Sequence, residues 1–88
     1  MIKTKDFEVR FSSLAKKDIE KLTPKLVNKL RDILVEIISK DPYEGNKLVG
    51  ELSGNYSYRL SYKDRIIYSV DEDRHIVYVK RARTHYDE

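Results

Sequence analysis

Five side chains in the second half of this 88-residue chain could act together on a phosphodiester: Arg59, Arg65, Arg83, His85 and Tyr86. Arginine grips phosphate through a planar fork of N–H donors and stabilises charge that builds on it. Histidine titrates near neutrality and can move a proton. Tyrosine can stack on a base or donate a hydrogen bond. RNA brings its own nucleophile, the 2′-OH, so such a set needs no metal, no cofactor and no nucleophile from the protein. Other chemistries find less support. His75 and His85 stand ten residues apart, without the short ligand spacing of a zinc site. No Gly-x-Ser-x-Gly elbow is present. The absence of cysteine removes thiolate metal sites, disulfides and thiol nucleophiles. His75, opening a strand beside a turn, reads as an ordinary surface residue.

The charge distribution fits the same ligand class. The net charge is only +3, yet residues 74–86 hold four Arg or Lys and no carboxylate. A basic block with tyrosine and histidine suits a phosphate backbone. It equally suits an edge strand that uses cations to discourage aggregation. Hydrophobic residues are 40% and charged residues 38%, the balance of a soluble globular protein with a small core. No apolar run approaches the roughly 20 residues of a membrane span. The start, MIKTKDFEVR, lacks the apolar stretch of a secretory signal. The expectation is a single domain over residues 1–88, located in the cytoplasm and away from membranes.

These side chains need a sheet to position them. Phe7, Val9 and Phe11 alternate as one face of a strand. Ser12 or Ser13 caps a helix to about Leu22, with Leu14, Ala15, Ile19 and Leu22 as its apolar stripe. Thr23-Pro24 restarts a second helix, which runs to Ser39 or Lys40. Its stripe of Leu26, Leu30, Ile33, Leu34, Ile37 and Ile38 is the strongest periodic signal in the chain. Asp41-Pro42 stops it, and a loop follows to Gly50. Three strands close the sequence, over 56–62, 65–70 and 76–82, with Lys63-Asp64 and Asp71-Glu72-Asp73 as turns. Parity groups Ser57, Arg59 and Ser61 on one face. It also groups Val77, Val79, Arg81, Arg83 and His85, if the last strand continues. Parity does not say which face is turned away from the helices. The predicted fold is α+β: strand, helix, helix, three strands, with an antiparallel sheet against a two-helix hairpin.

The segments NKLVGELSGNYSYRLSY, DRIIYSVDED and the terminal RTHY, in this order, resemble the RelE/ParE superfamily of type II toxin–antitoxin toxins. The His-Tyr ending is most similar to the YoeB/Txe branch. The resemblance covers nearly the whole chain and implies a RelE-like fold. It implies a ribosome-dependent endoribonuclease (an mRNA interferase) that cleaves mRNA in the A site by 2′-OH attack and so inhibits translation. By the same resemblance Arg65 stabilises the transition state, Arg59 orients the phosphate, His85 is catalytic and Tyr86 positions the substrate. Lys47, Arg81, Arg83 and Tyr58 are further RNA-binding candidates. The implied partners are a cognate antitoxin, in a hetero-oligomer, and the ribosome with its mRNA. One departure stands out: the YoeB branch has a catalytic glutamate where this chain has Asn46, and a lysine of RelE falls on Ser57. The alternatives are a ParE-like inhibitor of DNA gyrase and a non-catalytic homologue that only binds antitoxin.

Overall fold

A computed structural model of the chain describes residues 6–83. The elements are β1 (Glu8–Phe11), α1 (Ser13–Glu20), α2 (Pro24–Ile33), β2 (Asn46–Lys47), β3 (Tyr56–Arg59), β4 (Arg65–Asp71) and β5 (Ile76–Arg81). The order of helices and main strands is the one the sequence predicts. Both helices begin at the predicted caps. Ser12 Oγ accepts from the Ala15 N–H at 3.0 Å, and Thr23 Oγ1 accepts from the Leu26 N–H at 3.2 Å. Each bond satisfies one first-turn donor that has no partner within the helix. After α2 the chain continues as a π-helical turn over Leu34–Ile38, so the helical region ends close to the expected Ser39.

The five strands lie in the order β1-β5-β4-β3-β2. Three neighbouring pairs are antiparallel, but β1 pairs with β5 in parallel. The sheet is therefore mixed, where the sequence predicts an antiparallel one. The physical reason is connectivity: both helices intervene after β1, so its partner is not fixed by a hairpin turn. The short strand β2 forms inside what reads as a loop.

Residues paired across strands share a face. The helix side of the sheet carries Ile66, Tyr68, Val77 and Val79, all at 0% exposure. These meet Ala15, Leu22, Leu30, Ile33, Leu34 and Ile38 in one cluster. Burying an aliphatic side chain of this size contributes about 1.5–3 kcal/mol. Leu14 departs from the predicted stripe, at 55% exposure. Asp18 is buried on that helix instead, and its role is local to the end of β5.

Candidate active site on the open face of the sheet

The face turned away from the helices can be read from the register. Asn46 pairs with Ser57, Ser57 with Ile67, and Ile67 with Arg81. Arg59 and Arg65 form the adjoining pair at the end of the β3–β4 hairpin. Ser57 is only 2% exposed and belongs to the floor of this face. Arg59 and Arg65 are exposed. Directly paired residues have Cβ atoms about 4.5–5.5 Å apart, and like charges so placed repel. An anion bound between them would offset that repulsion, and two guanidinium forks match a phosphate.

The hairpin that carries this pair is tightly tied. The Leu60 N–H donates to the Asp64 carbonyl at 2.9 Å and the Ser61 N–H to the same carbonyl at 3.1 Å. Ser61 Oγ donates to Asp64 Oδ2 at 3.2 Å and accepts from the Asp64 N–H at 3.1 Å. Leu60 is fully buried and anchors the turn in the core, while Tyr62 projects at 89% exposure. The third strand thus ends at Arg59 rather than running to Tyr62. Its early end places Arg59 and Arg65 at the rigid mouth of a five-residue connection, residues 60–64.

A bulge re-aims the next arginine. Tyr68 pairs with Val79, but Ile67 pairs with Arg81, so Lys80 is the extra residue in β5. Val77 and Val79 therefore face the helices, while Arg81 lies on the side of Ile67. The expectation that Val77, Val79 and Arg81 share a face is corrected by that one inserted residue. The Arg81 side chain turns toward α1. Its Nε donates to Asp18 Oδ2 at 2.8 Å and its Nη2 to Asp18 Oδ1 at 3.1 Å. The Ala82 N–H adds a third bond to Asp18 at 3.0 Å. Burial pushes the Asp18 carboxyl up, but these bonds and the Arg81 charge outweigh burial and hold it below the ordinary carboxylate value.

The remaining candidates spread more widely. Lys47 is exposed but pairs with Tyr56, on the helix side of the sheet edge. Tyr58 pairs with Ile66 and packs against the core, so its ring does not share the face of Arg59. Arg83 is half-buried just after β5. His85 and Tyr86 lie outside the described residues. His75 is half-buried and stacks on Phe7 at 3.7 Å between ring centroids. Sequence reasoning missed Asp18, although its signal was present. Ala15, Asp18 and Leu22 recur at helical spacing, which puts the carboxylate on the buried face.

The model of the YoeB-like toxins of bacterial type II toxin–antitoxin systems matches residues 12–86. The chain belongs to this family. The toxin is 29% identical over 77 residues to Toxin RelG of Mycobacterium tuberculosis, covering 86% of this chain and 87% of that one. Its fold is similar to a chain of the toxin–antitoxin complex RelBE2 from M. tuberculosis, with a TM-score of 0.83 and 28% identity over 98% of both chains. The YoeB–YefM complex of Staphylococcus aureus gives 0.75 and 28%, over 91% of this toxin and 98% of that chain.

Proposed function

We propose that this toxin is a ribosome-dependent mRNA endoribonuclease that needs no metal. The observation that carries the reading is the pairing of Arg59 with Arg65, side by side on the exposed end of a tied hairpin, on the sheet face away from the helices. The 2′-OH of the RNA attacks the adjacent phosphorus and gives up its proton, while the 5′-oxygen departs and takes one. The products are a cyclic phosphate and a 5′-hydroxyl. Arg65 stabilises the extra charge on the five-coordinate phosphorus, and Arg59 orients the phosphate. Asn46 lies on the same face in the row of Ser57, but an amide takes no proton at neutral pH. Proton transfer then falls to His85, with Tyr86 positioning the substrate. Arg83 contacts the RNA backbone, whereas Lys47, on the helix side of the sheet edge, is left out of the contact. The M. tuberculosis and S. aureus relatives are seen in toxin–antitoxin complexes. By the same likeness this toxin pairs with a cognate antitoxin in a hetero-oligomer.

The test is a defined message on purified translating ribosomes. Wild type should yield A-site cleavage products that Arg65→Ala and His85→Ala lose, with gyrase supercoiling unaffected. Uncut message together with blocked supercoiling would overturn the proposal in favour of a ParE-like action.

A further inference from the structure

The connection between β3 and β4 holds one aromatic ring out in water. Tyr62 is 89% exposed, so the fold draws little packing from it. The backbone on both sides of Tyr62 is nevertheless clamped. Ser61 Oγ accepts from the Lys63 N–H at 3.3 Å and from the Asp64 N–H at 3.1 Å. The Leu60 and Ser61 N–H groups close on the Asp64 carbonyl, and Leu60 is fully buried beneath. What stays free is two side-chain torsions of the ring, so little order remains to be imposed when something binds it.

The surroundings of the ring are cationic. From Arg59 to Arg65 the sequence holds three cations and one carboxylate. Arg59, Lys63 and Arg65 are exposed, whereas Asp64 is 8% exposed and receives the Ser61 hydroxyl. The connection therefore presents a ring and positive charges to solvent, with its carboxylate turned inward. Tyr62 is three residues from each member of the arginine pair, and three residues reach at most about 10 Å. A lone exposed apolar residue is ordinary. A preorganised ring beside cations that suit phosphate has the makings of single-strand recognition, in which bases stack on aromatic side chains while the backbone tracks positive charge.

We propose that Tyr62 is a nucleobase-stacking site: while Arg59 and Arg65 hold the phosphate, its ring takes the base of a flanking nucleotide of the same message. This inference rests on the nuclease reading above and adds a base contact to it. Every base has a π-face, so the contact gives affinity without dictating sequence. It is made equally before and during cleavage, so it acts on binding and not on the chemical step.

The experiment measures single-turnover cleavage on programmed ribosomes against toxin concentration, for full-length wild type, Tyr62→Ala, Tyr62→Leu and Tyr62→Phe. Tyr62→Ala should raise the half-saturating concentration roughly 5- to 150-fold, the range of one base–aromatic stack, with the saturating rate near wild type. Tyr62→Phe should match wild type, and Tyr62→Leu should resemble Tyr62→Ala. A second arm uses messages with an abasic nucleotide at each A-site position in turn. At the stacked position the difference between wild type and Tyr62→Ala should vanish. A difference that persists on every abasic message would overturn the stacking role. So would wild-type behaviour from Tyr62→Leu, which marks a plain apolar contact. Should Tyr62→Ala melt early, Tyr62→Leu takes its place in both arms. If wild type cleaves and Tyr62→Ala equals it at every concentration, the inference falls alone and the ring is left to a protein partner or to solvent. If wild type cleaves nothing, the nuclease reading fails and the inference goes with it.

Discussion

Arg65 is exposed on a strand whose other face is core, so its side chain lies outside the packed interior. Arg65→Ala should keep the unfolding free energy within about 0.5 kcal/mol of wild type, as other exposed positions do. Losing a donor aimed at transition-state charge should lower the cleavage rate on the order of 10²–10³-fold. Thermal melts beside single-turnover cleavage separate the two effects. A variant that melts early would instead mark Arg65 as structural. Asp18 behaves in the opposite way, because it is buried and paired. Its folded pKa lies below the ordinary 3.8, so it adds stability above the unfolded value and loses it as pH falls through the folded one. Wild type should therefore exceed D18N in stability at neutral pH, and the gap should close as the pH drops below 3.8. Urea titrations of both proteins across that range would show it, and a gap independent of pH would contradict it.

The junction between the helical region and β2 is tied to the core of the sheet by a phenol. Tyr68, fully buried in β4, donates its hydroxyl proton to the Pro42 carbonyl at 2.7 Å. Burial pushes that phenol up to about 12, so the donor is intact at neutral pH. Tyr68→Phe leaves the carbonyl without this partner and should cost about 1–3 kcal/mol in urea unfolding. Gly45 sits against the same hydroxyl. A Cβ there would collide with it and stand 2.7 Å from the Ser57 carbonyl, so Gly45→Ala should also destabilise. Much of this arrangement is legible in the sequence. The Phe7-Val9-Phe11 alternation, the Ser12 and Thr23 caps and the α2 stripe each encode local structure, and local structure is what periodicity reports. The open face was not legible, since Ile66 and Ile67 are equally apolar and only the helices choose between them. The bulge at Lys80 escapes because one added residue reverses the parity of everything after it. Strand β2 escapes because two residues show no alternation, and its pairing is decided by β3. The arginine pair was visible as residue types, but its register across the hairpin depends on where β3 ends.

Across the whole molecule, a net charge of +3 is modest, yet the arginine pair concentrates positive potential on one face. Binding to an RNA-rich partner should therefore weaken steeply as salt rises from about 50 to about 200 mM. Melting temperature should change little over that range, because exposed ion pairs such as Arg10–Glu8 and Lys40–Asp6 contribute little and the partly buried Arg81–Asp18 pair is weakly screened. Ribosome co-sedimentation at graded salt measures the first and calorimetry the second, and salt-independent binding would count against the charged face as the docking surface. The topology carries a separate consequence for how the molecule comes into being. Strand β5 lies between β1 and β4, and among the described residues β1 pairs with no other strand. During synthesis the first strand must wait, unpaired, until residues 76–81 have cleared the exit tunnel. For a chain proposed to cut mRNA on ribosomes, strand β5 then serves as a safety catch: the sheet that carries the arginine pair stays incomplete until residues 76–81 are made.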